Sequence, residues 1–514
     1  MKFFDTLTRI LPFAALLLSS GCDKTIEEPL LDAYAPADLD AAGGTWKPYV
    51  LNLADVTVPA PAAASSAAYQ AELQTLKQTL AQRTATQTEA VRYWQAGGVF
   101  RWHEIARDLA AVHNVPPVYD PVTGKYPVPD AANPNADPKF PFANPPYAAR
   151  VFAYLAVAQY DALVAAWKAK YQYARKAPAV VDGSIETLLP KTDLPAYPSE
   201  DAVVAAASLE VLKLMFPGDV PLLTQKYEEH RASRLWAGAN VPSDLDAGDA
   251  LGKAVAAKVL ARAKTDGMGA ANNQALVAGM LADAKTRGLT TAWATQELPA
   301  RPPLLPNYGA VKTWHFGEAE KIALRPGPPP AIGSAAFEKD LNELRGYAKN
   351  LTREQHRIAS YWSDGVGSYT PPGHWNREAA KLTRQYRHSE LRAARTMALV
   401  GTAVQDAGVC CWDVKFYYFY PRPYQIDPAI KTTIGLPNFP SYTSGHSTFS
   451  AAAATILGHL FPAEAGQLNA SAVEASESRI YGTIHYRFDC EVGLTCGRNI
   501  AQYAVKRAQA DGGQ

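Results

Sequence analysis

Three short fragments near the C-terminal end hold the residue types that could grip a multiply charged anion. They are Lys415-Phe-Tyr-Tyr-Phe-Tyr-Pro-Arg422-Pro423, Pro440-Ser-Tyr-Thr-Ser444-Gly445-His446 and Ser478-Arg479-Ile-Tyr-Gly-Thr-Ile-His485-Tyr-Arg-Phe-Asp489. Lys415, Arg422 and Arg479 bring positive charge, and guanidinium forks meet oxyanion oxygens two at a time. Ser444 adds a hydroxyl, and Gly445 a backbone N–H with no side chain in its way. The Ala-rich run over 444–460 predicts a helix beginning at Ser444, which places both residues at a positive helix N-terminus. His446 lies one residue inside, placed for general acid and base work on an apical oxygen. His485 is the candidate for a single bond to the central atom, with Asp489 one helical turn on to orient its ring. Arg479 and His485 would face different sides of an unbroken helix, so a break is expected near Gly482. A tetrahedral or five-coordinate oxyanion such as phosphate or vanadate needs such a set.

The spacing (Lys, six residues, Arg-Pro; Ser-Gly-His; Ser-Arg, five residues, His, three residues, Asp) resembles the three signature elements of the vanadium haloperoxidase and type 2 phosphatidic acid phosphatase superfamily. The resemblance implies that Lys415, Arg422, Ser444, Gly445 and Arg479 hold the oxyanion and that His446 is the acid/base. It implies that His485 is the vanadate ligand or the phosphatase nucleophile. Thr443 departs from the phosphatase pattern, which has proline before the serine. Two activities follow from it. In one, vanadate is the cofactor, and halide and hydrogen peroxide are the reactants. In the other, His485 forms a phosphohistidine on a phosphomonoester and vanadate has no part. Trp412 and Phe439 resemble the aromatic residues on the halide side of chloroperoxidase-type sites, although core packing alone would also account for them. The runs Phe439–Phe449 and Thr370–Asn376 look like those of bacterial haloperoxidase-like lipoproteins. We therefore favour the haloperoxidase, with a secreted acid phosphatase as the alternative. His374 reads either as a pocket-rim residue or as part of a structural turn.

The chain also resembles itself. At a shift of 245 residues Asp161 falls on Asp406, Trp167 on Trp412, Lys170 on Lys415, Ser199 on Ser444, Ser233-Arg234 on Ser478-Arg479 and Asp244 on Asp489. Earlier the shift is 268, with Tyr93-Trp94 falling on Tyr361-Trp362. An insertion around 115–145 accounts for the difference. Ala177, Glu200, Asp201 and Asn240 stand where Arg422, Gly445, His446 and His485 stand, so the first copy is read as structural scaffold.

These motifs need helices to position them. Candidate helices at 66–95, 147–170, 201–216, 249–265, 334–362, 377–410, 444–460 and 470–481 carry apolar and charged faces at helical period. The expected fold is all-α, two pseudo-symmetric helical bundles of the vanadium chloroperoxidase and acid phosphatase type. The boundaries read 1–22 (signal), 23–65 (tether), 66–299 (first bundle), 300–333 (Pro-rich connection) and 334–514 (second bundle). A hydrophobic share of 48% and a formal net charge of +1 give no basis for a general nucleic-acid role. No later stretch has the apolar length of a membrane span.

Lys2, Arg9, the apolar run Ile10–Leu18 and then Ser19-Ser20-Gly21-Cys22 read as a secretion signal. Cys22 resembles a bacterial lipoprotein site, which implies a lipid-anchored enzyme of the bacterial cell envelope, periplasmic or surface-exposed, that meets the membrane only through that anchor. A homodimer is left open. Such a compartment would permit a bridge between Cys490 and Cys496, while Cys410 and Cys411 read as buried helix residues. His113, His230 and His356 read as solvated, and His459 as too far along its helix to share the site.

Overall fold

The computed structural model describes residues 31–126 and 142–514; Cys22 and its signal lie outside them. Helices dominate, and no β-ladder is formed among the described residues beyond one isolated bridge. The first half holds α1 (Ala67–Ala81), α2 (Ala85–Trp94), α3 (Gly98–His113), α4 (Pro145–Tyr173), α5 (Pro178–Val181), α6 (Glu200–Met215), α7 (Val220–Trp236), α8 (Pro242–Ala263) and α9 (Val277–Thr286). The second holds α10 (Glu318–Ala323), α11 (Ala335–Lys349), α12 (Arg353–Tyr361), α13 (Thr370–Gln385), α14 (Glu390–Tyr418), α15 (Pro423–Ile426), α16 (Gly445–Leu460), α17 (Ala465–Tyr481) and α18 (Arg487–Ala510). No described helix is long and apolar enough to cross a membrane.

Capping residues decide where the long periodic stretches break. Thr84 and Thr352 each accept from a backbone N–H three residues on and close a capping box with Gln87 and Gln355. The single helices expected over 66–95 and 334–362 are therefore two helices each. Ser389 caps α14 in the same way, and it splits the expected 377–410 helix. Helices α3, α7, α9 and α18 were not anticipated. The apolar stripes of α3, α7 and α18 are interrupted by buried charged residues such as Arg101, Arg107, Arg234 and Asp489, which blur the period.

The 29-residue helices α4 and α14 pack against each other along the centre. Gly401 makes that approach close: a Cβ there would stand 3.1 Å from the Ala153 Cα. Each central helix carries one buried aspartate that fastens a strap of extended chain. Asp161 accepts from the backbone N–H groups of Tyr49, Val50 and Leu51 at 2.7–2.9 Å. Asp406 accepts from those of Trp314 and His315 at 2.8 and 3.2 Å. Both straps fall in segments read as linkers, and both are packed. Trp46 and Leu51 are buried in the 23–65 segment, as are Leu305, Tyr308 and Val311 in the 300–333 connection. The apolar core is continuous through both halves rather than split between two bundles.

Helix boundaries repeat across the chain. The starts of α4 and α14, α5 and α15, α6 and α16, α7 and α17, and α8 and α18 are each 245 residues apart. Glycines on the last member of each set let it approach the helix that starts at the key serine. A Cβ on Gly493 would stand 3.0 Å from the Ser444 carbonyl, and one on Gly248 would collide with that of Ser199.

Candidate active site

Helix α16 begins where the sequence predicts, with Ser444 as its N-cap accepting from the Ser447 N–H. The preceding loop is drawn around one buried cation. The Lys415 ammonium, near the end of α14, donates to the carbonyls of Pro440, Ser441 and Thr443 at 2.9, 2.9 and 2.5 Å. Burial pushes its pKa down to about 7. Arg422, at the N-cap of α15, donates to the carbonyls of Phe439 and Ile484 at 3.0 and 2.7 Å.

The break expected near Gly482 is present. Helix α17 ends at Tyr481, Thr483 adopts a positive φ of 56°, and α18 restarts at Arg487. His485 sits in that gap, so its link to Asp489 is not the one-turn helical pairing expected from the spacing. Asp489 is the third residue of α18, and its Oδ2 gathers three donors: the Tyr486 N–H at 3.2 Å, the Ser441 hydroxyl at 2.5 Å and His485 Nδ1 at 2.9 Å. With Nδ1–H donating to a carboxylate, the Nε2 lone pair faces the other way, where Arg422 Nη1 lies at 3.0 Å. Burial, with the charges of Arg422 and Lys415, holds the His485 pKa well below its usual value, so the ring is neutral.

Arg479, at the end of α17, donates to the carbonyls of Trp362 and Ala359 at 2.6 and 3.2 Å and to the Ser478 hydroxyl. Burial lowers its pKa to about 10. Burial and then Arg479 push His446 well below its usual range as well. His446 Nε2 is buried without a hydrogen-bond partner among the described residues. A Cβ on Gly445 would meet no wall closer than Phe449 and Trp412, at 3.8 and 3.9 Å, so a side chain there would intrude on the pocket.

Gly445, His446, Arg479 and His485 line one cavity of about 670 Å³, together with Trp412 and Phe439. The two aromatic rings lie 4.9 Å apart between centroids. Lys415, Arg422 and Ser444 stand behind that wall, with Lys415 and Arg422 bound to the backbone that forms it. Two participants were missed. Ser441 lay inside a quoted motif, and its hydroxyl bond to Asp489 could have been suspected because alanine (Ala196) stands at the matching place in the first half. Asp364 lines the cavity, and its charge is the main one supporting the Arg479 cation against burial. No spacing pointed to it.

Other expectations need correction. His374 is buried behind the cavity wall, stacked on Trp362 at 4.3 Å, rather than at the rim. His230 is not solvated: it is fully buried, stacked on Trp94 at 4.0 Å. His113 is half-buried and bound to Asp219 at 2.6 Å. Cys490 and Cys496 are free and buried; six residues apart on α18, they point to different sides.

The donor set suits an oxyanion. A neutral imidazole lone pair lies among three buried cations, with a helix N-terminus and an orphaned imidazole nitrogen beside it. Among the described residues, no cluster of three or more His, Cys, Asp or Glu side chains could hold a metal cation directly.

Residues 393–511 match the PAP2 superfamily. No curated protein matches the chain. Among solved structures, a bacterial vanadium-dependent iodoperoxidase is 26% identical, with a TM-score of 0.54 over 71% of this chain and 91% of that one. The holo form of a bacterial vanadium-dependent chloroperoxidase is 14% identical, with a TM-score of 0.51 over 72% and 93%. The chain thus has a fold of the vanadium-haloperoxidase type, and its C-terminal segment bears the pattern of the PAP2 superfamily.

Proposed function

We propose that this protein is a vanadium-dependent haloperoxidase that oxidises halide with hydrogen peroxide at an oxyanion held by His485. The observation that carries the reading is the neutral His485 ring, fixed through Nδ1 on Asp489, with Nε2 turned among buried cations beside an aromatic-walled cavity. Vanadate, when bound, supplies the Lewis acidity that activates peroxide toward halide.

The chain's own residues then have distinct tasks. Asp489 and Ser441 keep the proton on His485 Nδ1, so that Nε2 can bond the central atom. Arg422 now donates to that nitrogen and would have to yield it when the oxyanion binds, its guanidinium then being able to hold the anion's oxygens. Lys415 and Arg479 neutralise charge from behind and beside. Ser444 retains its hydroxyl proton as a donor, because its oxygen accepts from Ser447. His446 Nε2, unpartnered and neutral, takes the proton from incoming peroxide and returns it to the departing oxygen. Trp412 and Phe439 keep bulk water from the halide side.

The repeated helix boundaries support a further reading, that both halves descend from one duplicated unit whose first copy lost the site. We also propose a lipid anchor at Cys22 and a place in the bacterial cell envelope.

The deciding experiment incubates purified protein with vanadate, peroxide and iodide or bromide, and in parallel with p-nitrophenyl phosphate without vanadate. Halide oxidation lost in His485→Ala is expected. Release of p-nitrophenol with no halide oxidation would replace this reading by the phosphomonoesterase.

A further inference from the structure

One residue of the first half takes part in the second half's site. Asn114, where α3 ends, is buried and lines the same cavity as His446 and His485. Beside it runs the turn 363–369, which joins α12 to α13. Asn114 Nδ2 donates to the carbonyls of Gly365 and Ser368 at 2.8 and 3.0 Å. The Asn114 carbonyl accepts from the Gly367 N–H at 3.0 Å. Both side-chain partners are carbonyls, which fixes the end of the amide that carries hydrogen. Among the described residues, 365–368 make no other hydrogen bond beyond their own turn and the start of α13. Gly365, Val366 and Gly367 are exposed on its outer side. A turn with two glycines, open to water on one face, needs such an attachment to keep one position.

The first residues of that turn, and Trp362 before them, meet the working groups. The Trp362 carbonyl accepts from Arg479 at 2.6 Å, backbone groups of Trp362 and Ser363 support a proton on His446, and the Asp364 charge supports Arg479. The clamp has no counterpart at the other helix start. Tyr386 follows α13 as Asn114 follows α3, 272 residues on, yet it is exposed and bonds Glu464. Residues 95–97 alone separate α2 from α3, so no comparable turn exists there to be held. We infer that Asn114 is a positioning residue for the second half's site: its three bonds hold the turn 363–369 against the cavity, and through that turn they seat Asp364 and shield His446 from water. The clamp itself needs no oxyanion. Its effect on turnover rests on the proposed function.

The test reads His446 itself by NMR, in full-length protein with carbon-13-labelled histidine rings and no vanadate, titrated from about pH 5 to 8. His446→Gln assigns the signal. In wild-type protein burial, and then the Arg479 charge, hold this ring neutral well below the usual histidine range. The titratable groups around it are Arg479 of α17, His374 of α13, Asp364 of the turn and His485. Asn114→Ala frees the turn and admits water, which relieves burial, the largest of these effects. The His446 midpoint should then rise by about one pH unit or more, toward the ordinary value of about 6.5. Asn114→Leu, the second variant, keeps the bulk of the side chain without its N–H groups and should shift the midpoint the same way. His230, buried in the first half, is the internal control and should keep its midpoint. An unmoved His446 in either folded variant, or equal shifts at His446 and His230, overturns the clamp. Iodide oxidation by wild-type protein with vanadate reports separately on the proposed function. A raised His446 midpoint without iodide oxidation leaves the clamp standing and removes the peroxidase.

Discussion

The start of α16 and the start of α6 are built alike and do opposite things. In each, a capping serine sits against the backbone of a later aspartate: the Ser444 N–H donates to the Asp489 carbonyl and the Ser199 N–H to that of Asp244, both at 2.9 Å. In each, a buried lysine reaches the loop before the serine. At α16 the cations bond carbonyls, the Ser478 hydroxyl and imidazole, and among the described residues none is in a salt bridge with a carboxylate. At α6 the protein supplies the anion itself. Lys170 pairs with Glu200 at 2.7 Å, while Asp201 accepts from His230 at 3.0 Å and faces Arg234 at 3.5 Å. Burial opposes the charge on Asp201, but Arg234 and His230 outweigh it and hold its pKa well below the usual range. Asn240, at the place of His485, bonds Ser199 and the Ala196 carbonyl. The two helix starts thus differ in charge: carboxylates pair the cations at α6, and none does so at α16 among the described residues.

The comparison breaks most sharply at the histidine. His485→Ala should lower vanadate-dependent halide oxidation by about a thousandfold or more. Asn240→Ala should leave the rate within about twofold of wild type, the size of an ordinary neutral substitution away from a site. Equal losses in both would mean that the halves are not distinct. Next in size, Asp489→Asn removes the acceptor that fixes the ring, and oxyanion affinity in calorimetry should fall about 10–100-fold. The folded protein should still show its native far-ultraviolet dichroism.

Acidity gives a third contrast. Lys415 is charged below about 7 and neutral above it, so positive charge at α16 is lost as pH rises. Binding of tungstate, whose own charge is constant in this range, should weaken about tenfold between pH 6 and 8. Flat binding over that interval would show that Lys415 stays charged throughout. The smallest effect concerns packing. Gly493→Ala and Gly248→Ala each push a methyl group at the carbonyl of a capping serine and should each cost about 1–3 kcal/mol in denaturant unfolding. Only Gly493→Ala should also reduce the reaction rate.

Residue chemistry made part of this visible before any coordinates. Lys415, Arg422, Arg479, His446 and His485 were legible because charge and imidazole are rare in apolar helical sequence and their spacing is short. The hydroxyl of Ser441 and the carboxylate of Asp364 were not, since each acts only through a neighbour brought near by folding. Asp364 also falls where the shift between halves changes from 268 to 272, between α12 and α13, so no partner position singled it out. Helices with mixed faces escaped for a related reason. A charged side chain buried against its counter-ion, such as Arg101 on Glu104 in α3 or Arg234 of α7 facing Asp201, reads in sequence as a solvent-facing position. The straps over Asp161 and Asp406 looked like linkers because their attachment is made largely through backbone N–H groups, which leave no trace in residue type, with the His315 ring adding one side-chain bond to Asp406.

The three carbonyls wrapped around the Lys415 ammonium have a kinetic consequence. An ammonium in open water must shed its hydration shell before an anion can approach, and that shedding slows entry. Here the shell has been replaced by fixed dipoles of the peptide chain. Capture of an oxyanion should therefore proceed with little rearrangement of the loop at 440–443.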